Sequence, residues 1–263
     1  RFLREARLAS NLHHPNIVTV HYLDDWGDTL FFTMEYIPGQ SLRALIDERK
    51  DKIPPFTLEE SFRIAGQVLD ALSYAHKTTI HRDVKPENIL VTGDFPDIRV
   101  KVLDFGIAKV LSASRFTRTA QSMGTAYYMS PEQMQGAKEI DLRSDLYSVG
   151  MILYEMLTGR IAAGRFKLPG ELVPGLPAAL DELVEKTLSP EPSDRFESAS
   201  VMGRSMDEIL DRHAQERQTA EQERIRQEQE HQQQAEQEKR EREEKERQEA
   251  ERRKKEEAQE KIQ

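Results

Sequence analysis

His81-Arg82-Asp83-Val84-Lys85-Pro86-Glu87-Asn88, with Asp104-Phe105-Gly106 following it, is the stretch that decides the fold. An Asp able to hydrogen-bond a hydroxyl, a Lys two positions on, an Asn able to ligate a metal and a second Asp doing likewise form a set suited to moving a phosphoryl group. An Asp beside an Arg is, alone, an ordinary solvated pair. What lifts the string above coincidence is that many positions agree at once. The intervening runs, Ile89-Leu90-Val91 and Arg99-Val100-Lys101-Val102-Leu103, have the β-hairpin character that such an arrangement needs.

Composition narrows the classes. The 263 residues suffice for one large domain or two ordinary ones. The overall 37% hydrophobic and 32% charged content averages two unlike regions, because about the last fifty residues are nearly all Glu, Gln, Arg and Lys. Residues 1–212 are therefore expected to be the globular part, ample for a sizeable core, and 213–263 a charged tail. A net charge of −9 argues against a nucleic-acid binder, which carries a basic face. The absence of cysteine excludes disulfides, thiolate zinc sites and cysteine catalysis, and it fits a reducing, cytoplasmic compartment. No apolar run approaches the roughly 18 residues of a membrane span, and no signal-peptide pattern stands at the beginning. The chain opens without Met and in mid-helix, so it is expected to be a piece of a longer product.

Local patterns give the elements. Phe2, Leu3, Ala6, Ala9 and Leu12 form a helical stripe that should stop before His14-Pro15-Asn16. Residues 17–22 and 30–36 are strand-like runs about a turn at 24–28, expected as an antiparallel pair. Ser41 is an N-cap candidate, and Thr57 with Glu60 makes a capping box opening a helix through Ala75. The segment from Leu142 to Leu157 is apolar on most of its circumference and should be buried centrally. Helices are expected at about 177–188 and 197–212. Beyond Gln215 the Glu-to-Lys/Arg pairs four apart, such as Glu236 with Arg240 and Glu251 with Lys255, support a solvated single helix, partly disordered, without coiled-coil heptads.

With these motifs in view, residues 1–212 resemble a eukaryotic-type (Hanks) protein Ser/Thr kinase, most like the bacterial branch. The resemblance implies an α+β, two-lobed kinase-like fold with an incomplete small lobe, a mostly helical large lobe and a long charged helix at the end. Asp83 resembles the catalytic Asp that orients the substrate hydroxyl and accepts its proton, and Lys85 resembles the group that neutralises the γ-phosphate. Asn88 and Asp104 would hold Mg²⁺ ions. Glu5 resembles the small-lobe Glu that pairs with the phosphate-gripping strand Lys. Met34 falls at the gatekeeper position, Glu35 to Ile37 resemble the hinge that binds the adenine edge of ATP, and Leu90 would pack under the ring, although plain sheet core fits these residues equally.

Arg82 beside the catalytic Asp implies switching by phosphorylation of Thr117 and Thr119, with Ser122 behind them. Thr125 would hydrogen-bond near Asp83 and Lys85, Glu132 should pair with Arg195, and Asp145 should accept hydrogen bonds from the catalytic-loop backbone. Nothing in the chain corresponds to the Gly-rich phosphate loop or to the strand Lys, so this polypeptide alone is expected to bind ATP weakly and transfer phosphate poorly. The stretch between Gly159 and Pro177 is shorter than in the family, which bears on substrate docking. The partners implied are ATP, proteins with Ser or Thr, and a second copy for autophosphorylation in trans; bacterial members often continue into a membrane helix. The competing reading is a pseudokinase or scaffold module with a helical spacer tail.

Overall fold

The computed structural model describes residues 12–26, 29–105, 125–137 and 139–260. The expected first helix, with Glu5, and the loop residues Thr117, Thr119 and Ser122 lie outside the described residues. The chain divides into two units, Arg1–Leu210 and Asp211–Gln263.

In the first unit, strands β1 (Val20–Trp26) and β2 (Thr29–Met34) pair antiparallel from Val20 opposite Met34 to Trp26 opposite Thr29. β1 therefore runs through Asp24 and Asp25, where a turn was expected. These residues are poor strand formers, but their pairing with Phe31 and Leu30 continues the ladder, and tertiary pairing overrides propensity. A second antiparallel sheet has the order β3 (Gln40–Ser41), β4 (Ile89–Thr92), β5 (Arg99–Val102). The segment before β1 is tied to β5 by Val18 N–H donating to Val102 O at 3.0 Å and Val102 N–H to Asn16 O at 2.8 Å.

Helix α1 (Leu42–Arg49) starts at Ser41, whose hydroxyl accepts from Ala44 N–H. Helix α2 (Leu58–Ala75) starts at the Thr57–Glu60 capping box and buries Phe62, Ala65, Val68, Leu69, Leu72 and Ala75, the face its periodicity requires. Its Gln67 clamps β5, accepting from Val100 N–H at 2.9 Å and donating to Ile98 O at 3.0 Å. After the short helix α3 (Pro131–Met134) comes α4 (Arg143–Thr158), in which every residue from Leu146 to Thr158 is buried except Tyr147. A helix apolar all round must lie inside. The short α5 (Pro169–Leu172) and then α6 (Ala178–Thr187) close the helical part around it.

Helix α7 (Ala199–Glu260) is longer than the expected 197–212. Within the first unit it buries Ala199, Met202, Met206 and Ile209. In the second unit no Gly or Pro interrupts the helix, and pairs such as Glu236–Arg240 at 2.7 Å and Arg226–Glu230 at 2.9 Å run along a solvated surface. Each such exposed pair contributes little by itself, so helicity there rests on their number and on good helix formers.

Gly150 sets how closely α4 and α6 approach. A Cβ at this position would lie 2.5 Å from Thr187 Cγ2 and 3.1 Å from Leu188 Cδ2. Thr187 cannot swing aside, because it is fully buried and its hydroxyl donates to Leu183 O at 2.7 Å. Gly150→Ala is therefore expected to destabilise the fold by about 1–3 kcal/mol despite the better helix propensity of Ala, measured by urea denaturation. Unchanged stability would mean that the two helices are not in close contact there.

Candidate active site

Three elements bring the motif residues together. The loop carrying His81 to Lys85 leaves the end of α2, a 3₁₀ turn at Pro86–Asn88 leads into β4, and the end of β5 delivers Asp104. Leu103 N–H donates to Asn88 O at 2.8 Å, which sets Asp104 beside the turn.

Asp83 Oδ2 is the centre of the set. It pairs with Lys85 Nζ at 2.9 Å and accepts from Asn88 Nδ2 at 3.1 Å, while that same nitrogen donates to Asp83 O at 2.8 Å. Because Asn88 spends its amide nitrogen on Asp83, its oxygen is left as an outward acceptor. Asp104 belongs to the same electrostatic neighbourhood. Burial pushes its carboxyl up, His81 pulls it down, Asp83 pushes it up further and Lys85 pulls it down, with a net rise. Among the described residues no hydrogen-bond donor reaches the Asp104 carboxylate.

The loop is hung from the core. Asp145, in the first turn of α4 and 1% exposed, accepts from His81 N–H at 2.8 Å, Arg82 N–H at 2.7 Å and the His76 ring at 2.8 Å. The His81 ring bonds Leu103 O at 2.8 Å and meets Phe105 edge-on at 4.6 Å, joining the loop to the end of β5. Among the described residues, two non-glycine residues have left-handed backbones, Arg82 (φ 66°) and Asp104 (φ 60°), one on each side of the cluster. Arg82 Nε is buried and has no hydrogen-bond partner among the described residues.

Beside Asp104, the side chains of Ile17, Val18, Val20, Phe32, Met34 and Phe105 line a small recess. Glu35 N–H is committed to Thr19 O at 2.9 Å, and Ile37 O accepts from Gly39 N–H at 2.9 Å. Among the described residues, the Glu35 and Tyr36 carbonyls and the Tyr36 and Ile37 N–H groups there have no backbone partner. Burial would raise the Glu35 carboxyl, but Lys101 Nζ at 2.6 Å and Thr19 N–H at 2.7 Å overcome it and hold it below the usual range. Leu90 in β4 is half-buried.

Glu132 and Arg195 form a bidentate pair at 2.7 and 2.8 Å, with Ser144 Oγ donating to the same carboxylate at 2.5 Å. Arg195 also donates to Ser189 O and Pro190 O. Thr125 begins the 3₁₀ turn Thr125–Tyr128, and its side chain lies outside what the structure describes. Sequence reasoning missed several groups. Arg43 of α1 forks onto Glu155 of α4 at 2.9 and 3.0 Å, and Tyr128 OH is held between them by short hydrogen bonds to both. Gln133 donates to Arg82 O at 2.8 Å. A lone Glu in the apolar run 149–157 was the available signal, since a buried charge demands a partner.

The chain belongs to the protein kinase family: the protein kinase domain matches residues 1–222. It is 38% identical over 226 residues to a probable serine/threonine-protein kinase of Clostridium acetobutylicum, covering 80% of this chain and 32% of that one. It is 35% identical to the serine/threonine-protein kinase PrkC of Bacillus subtilis, covering 77% and 32%, and 36% identical to PknB of Mycobacterium tuberculosis, covering 77% and 34%. The chain thus spans about a third of the length of these curated relatives. Among solved structures, the Mycobacterium tuberculosis PknI kinase domain matches with a TM-score of 0.64 at 28% identity, covering 80% of this chain and 78% of that one.

Burial alone would raise the Glu132 carboxyl, but the Arg195 guanidinium and the Ser144 hydroxyl overcome it and bring it down to about 2. A carboxyl depressed from its ordinary 4.5 contributes stability that is fully present above that value and lost as pH falls through the folded one. Stability should therefore decline between about pH 4.5 and pH 2, and Arg195→Met should remove this part of the decline while costing about 3–5 kcal/mol at neutral pH by stranding Glu132. Denaturant melts across that pH range check both. An unchanged acid limb in Arg195→Met would show that the pair does not titrate as described.

Proposed function

We propose that this chain is the catalytic part of an ATP-dependent protein Ser/Thr kinase that transfers the γ-phosphate of ATP to Ser and Thr hydroxyls of proteins. The observation that carries this reading is the convergence of Asp83, Lys85, Asn88 and Asp104 on one neighbourhood, in a chain of the protein kinase family. The Asp83 carboxylate orients the substrate hydroxyl and takes its proton as the oxygen bonds to phosphorus and the bond to ADP breaks. Lys85 offsets charge on the transferring oxygens. The Asn88 oxygen and the Asp104 carboxylate, an oxygen-only donor pair without competing donors, suit a hard divalent cation, taken here to be Mg²⁺. Held by Asn88 and Asp104, such an ion would supply positive charge that offsets the charge of the phosphate oxygens.

The Glu35 carbonyl and Ile37 N–H offer an acceptor and a donor side by side, which matches the amino group and ring nitrogen of an adenine edge. Met34 and Leu90 would supply apolar walls. Arg82 keeps a buried guanidinium nitrogen uncommitted beside Asp83, which supports an on-switch in which phosphorylated Thr117 or Thr119 pairs with it. Autophosphorylation in trans would need self-association. Among the described residues no helix is long and apolar enough to cross a membrane.

Phosphate incorporation from labelled ATP by the full-length gene product tests the reading. Asp83→Asn and Asp104→Asn should each lower it by about 10²-fold or more while thermal stability stays near that of the parent. Equal incorporation by all three would sink the assignment and favour a scaffold.

A further inference from the structure

We propose that Gln133 is a positioning residue for the catalytic loop: its side-chain amide holds the Arg82 carbonyl and so fixes the peptide that presents Asp83. The inference rests on the role given to Asp83 above. Arg82 occupies a left-handed backbone conformation (φ 66°) that non-glycine residues rarely hold unless their surroundings impose it. Its two peptide groups are gripped by two different helices, α4 and α3. Asp145 Oδ1, on the central helix, accepts from its N–H at 2.7 Å, and Gln133 Nε2, on α3, donates to its carbonyl at 2.8 Å. That carbonyl belongs to the peptide whose N–H is Asp83's own. Turning it would turn Asp83.

The chemistry fixes which way the amide faces. Gln133 Oε1 accepts from Ser130 N–H at 3.0 Å and lies 3.1 Å from Ser130 Oγ. A backbone N–H can only donate, so the oxygen must face Ser130 and the NH₂ must face Arg82. Ser130 is fully buried, which anchors that end. A Gln three residues after a capping Ser is expected in any capping box, but capping uses only the acceptor half, for which Glu serves equally well. The donor half is surplus to capping, and it is used on a loop 51 residues away in sequence. The side chain therefore couples the Ser130–Glu132 segment to the catalytic loop through one bond.

Two variants of the full-length gene product separate the roles. Gln133→Glu keeps the acceptor for Ser130 and sets a carboxylate oxygen against the Arg82 carbonyl; Gln133→Lys loses the cap and restores a donor. With MgATP and dephosphorylated casein as the acceptor probe, Gln133→Glu should lose about tenfold in kcat with the KM for ATP within about twofold and little change in Tm. Gln133→Lys should retain more kcat than Gln133→Glu at a lower Tm. A role in capping alone predicts the reverse order, and that result would overturn the proposal. Amide hydrogen exchange over residues 81–88 gives a readout independent of phosphate transfer: faster exchange in Gln133→Glu supports the proposal and unchanged exchange overturns it. If the parent protein transfers no phosphate, the kinase reading fails on that ground, and the exchange comparison alone decides the role of Gln133.

Discussion

A carboxylate buried to 1% exposure is tolerable only if its hydrogen-bonding capacity is filled, and the geometry around Asp83 depends on how Asp145 meets that condition. Desolvating one charge costs several kcal/mol. Two backbone N–H groups of the same loop and the His76 ring offset it, and charge-assisted bonds of this kind are about twice as strong as neutral ones. The position of Asp145 in the first turn of α4 adds the positive end of the helix dipole. The charge thus cannot be satisfied unless the loop adopts one shape. Because α4 is packed on nearly all sides, that shape is referred to the most rigid part of the protein.

Left-handed backbones at Arg82 and Asp104 show where the fold has accepted strain, on the order of 1–3 kcal/mol each. Both flank the cluster. Each is held by other parts of the chain: Asp145 and Gln133 at Arg82, and the His81–Leu103 and Leu103–Asn88 bonds just before Asp104. Strain concentrated at two positions and over-determined by long-range contacts is what a preorganised site requires, since donors and carboxylates then need not rearrange when charge develops.

The elements were legible where the code is local. Ser41 and the Thr57–Glu60 box mark the starts of α1 and α2, and the run 149–157, apolar but for Glu155, marks a central helix. Strand β1 was misplaced because its limits are set by pairing with β2, which no local pattern states. At the site, the motif residues named themselves through spacing. Their supports did not: Glu155 announces that a buried charge needs a partner, but nothing near it identifies Arg43, 112 residues earlier. The same holds for Gln133 toward Arg82, and for Lys101 toward Glu35 across 66 residues. Sequence declares such demands, and only the fold supplies the partner.

The segment from Tyr128 to Gln133 shows what these supports achieve together. Tyr128 OH sits between Arg43 and Glu155, its carbonyl accepts from Ser148 Oγ at 2.7 Å, Glu132 is locked by Arg195, and Gln133 reaches Arg82. Burial and the Glu155 carboxylate push the Tyr128 phenol well above its ordinary value, so it stays a neutral donor. Four independent attachments run from six consecutive residues to α1, α4, the chain before α7 and the catalytic loop. A segment so held has little freedom to choose its own conformation. Its position relative to Asp83 is set by the helical core, so the conformational entropy of ordering it is already lost in the folded chain.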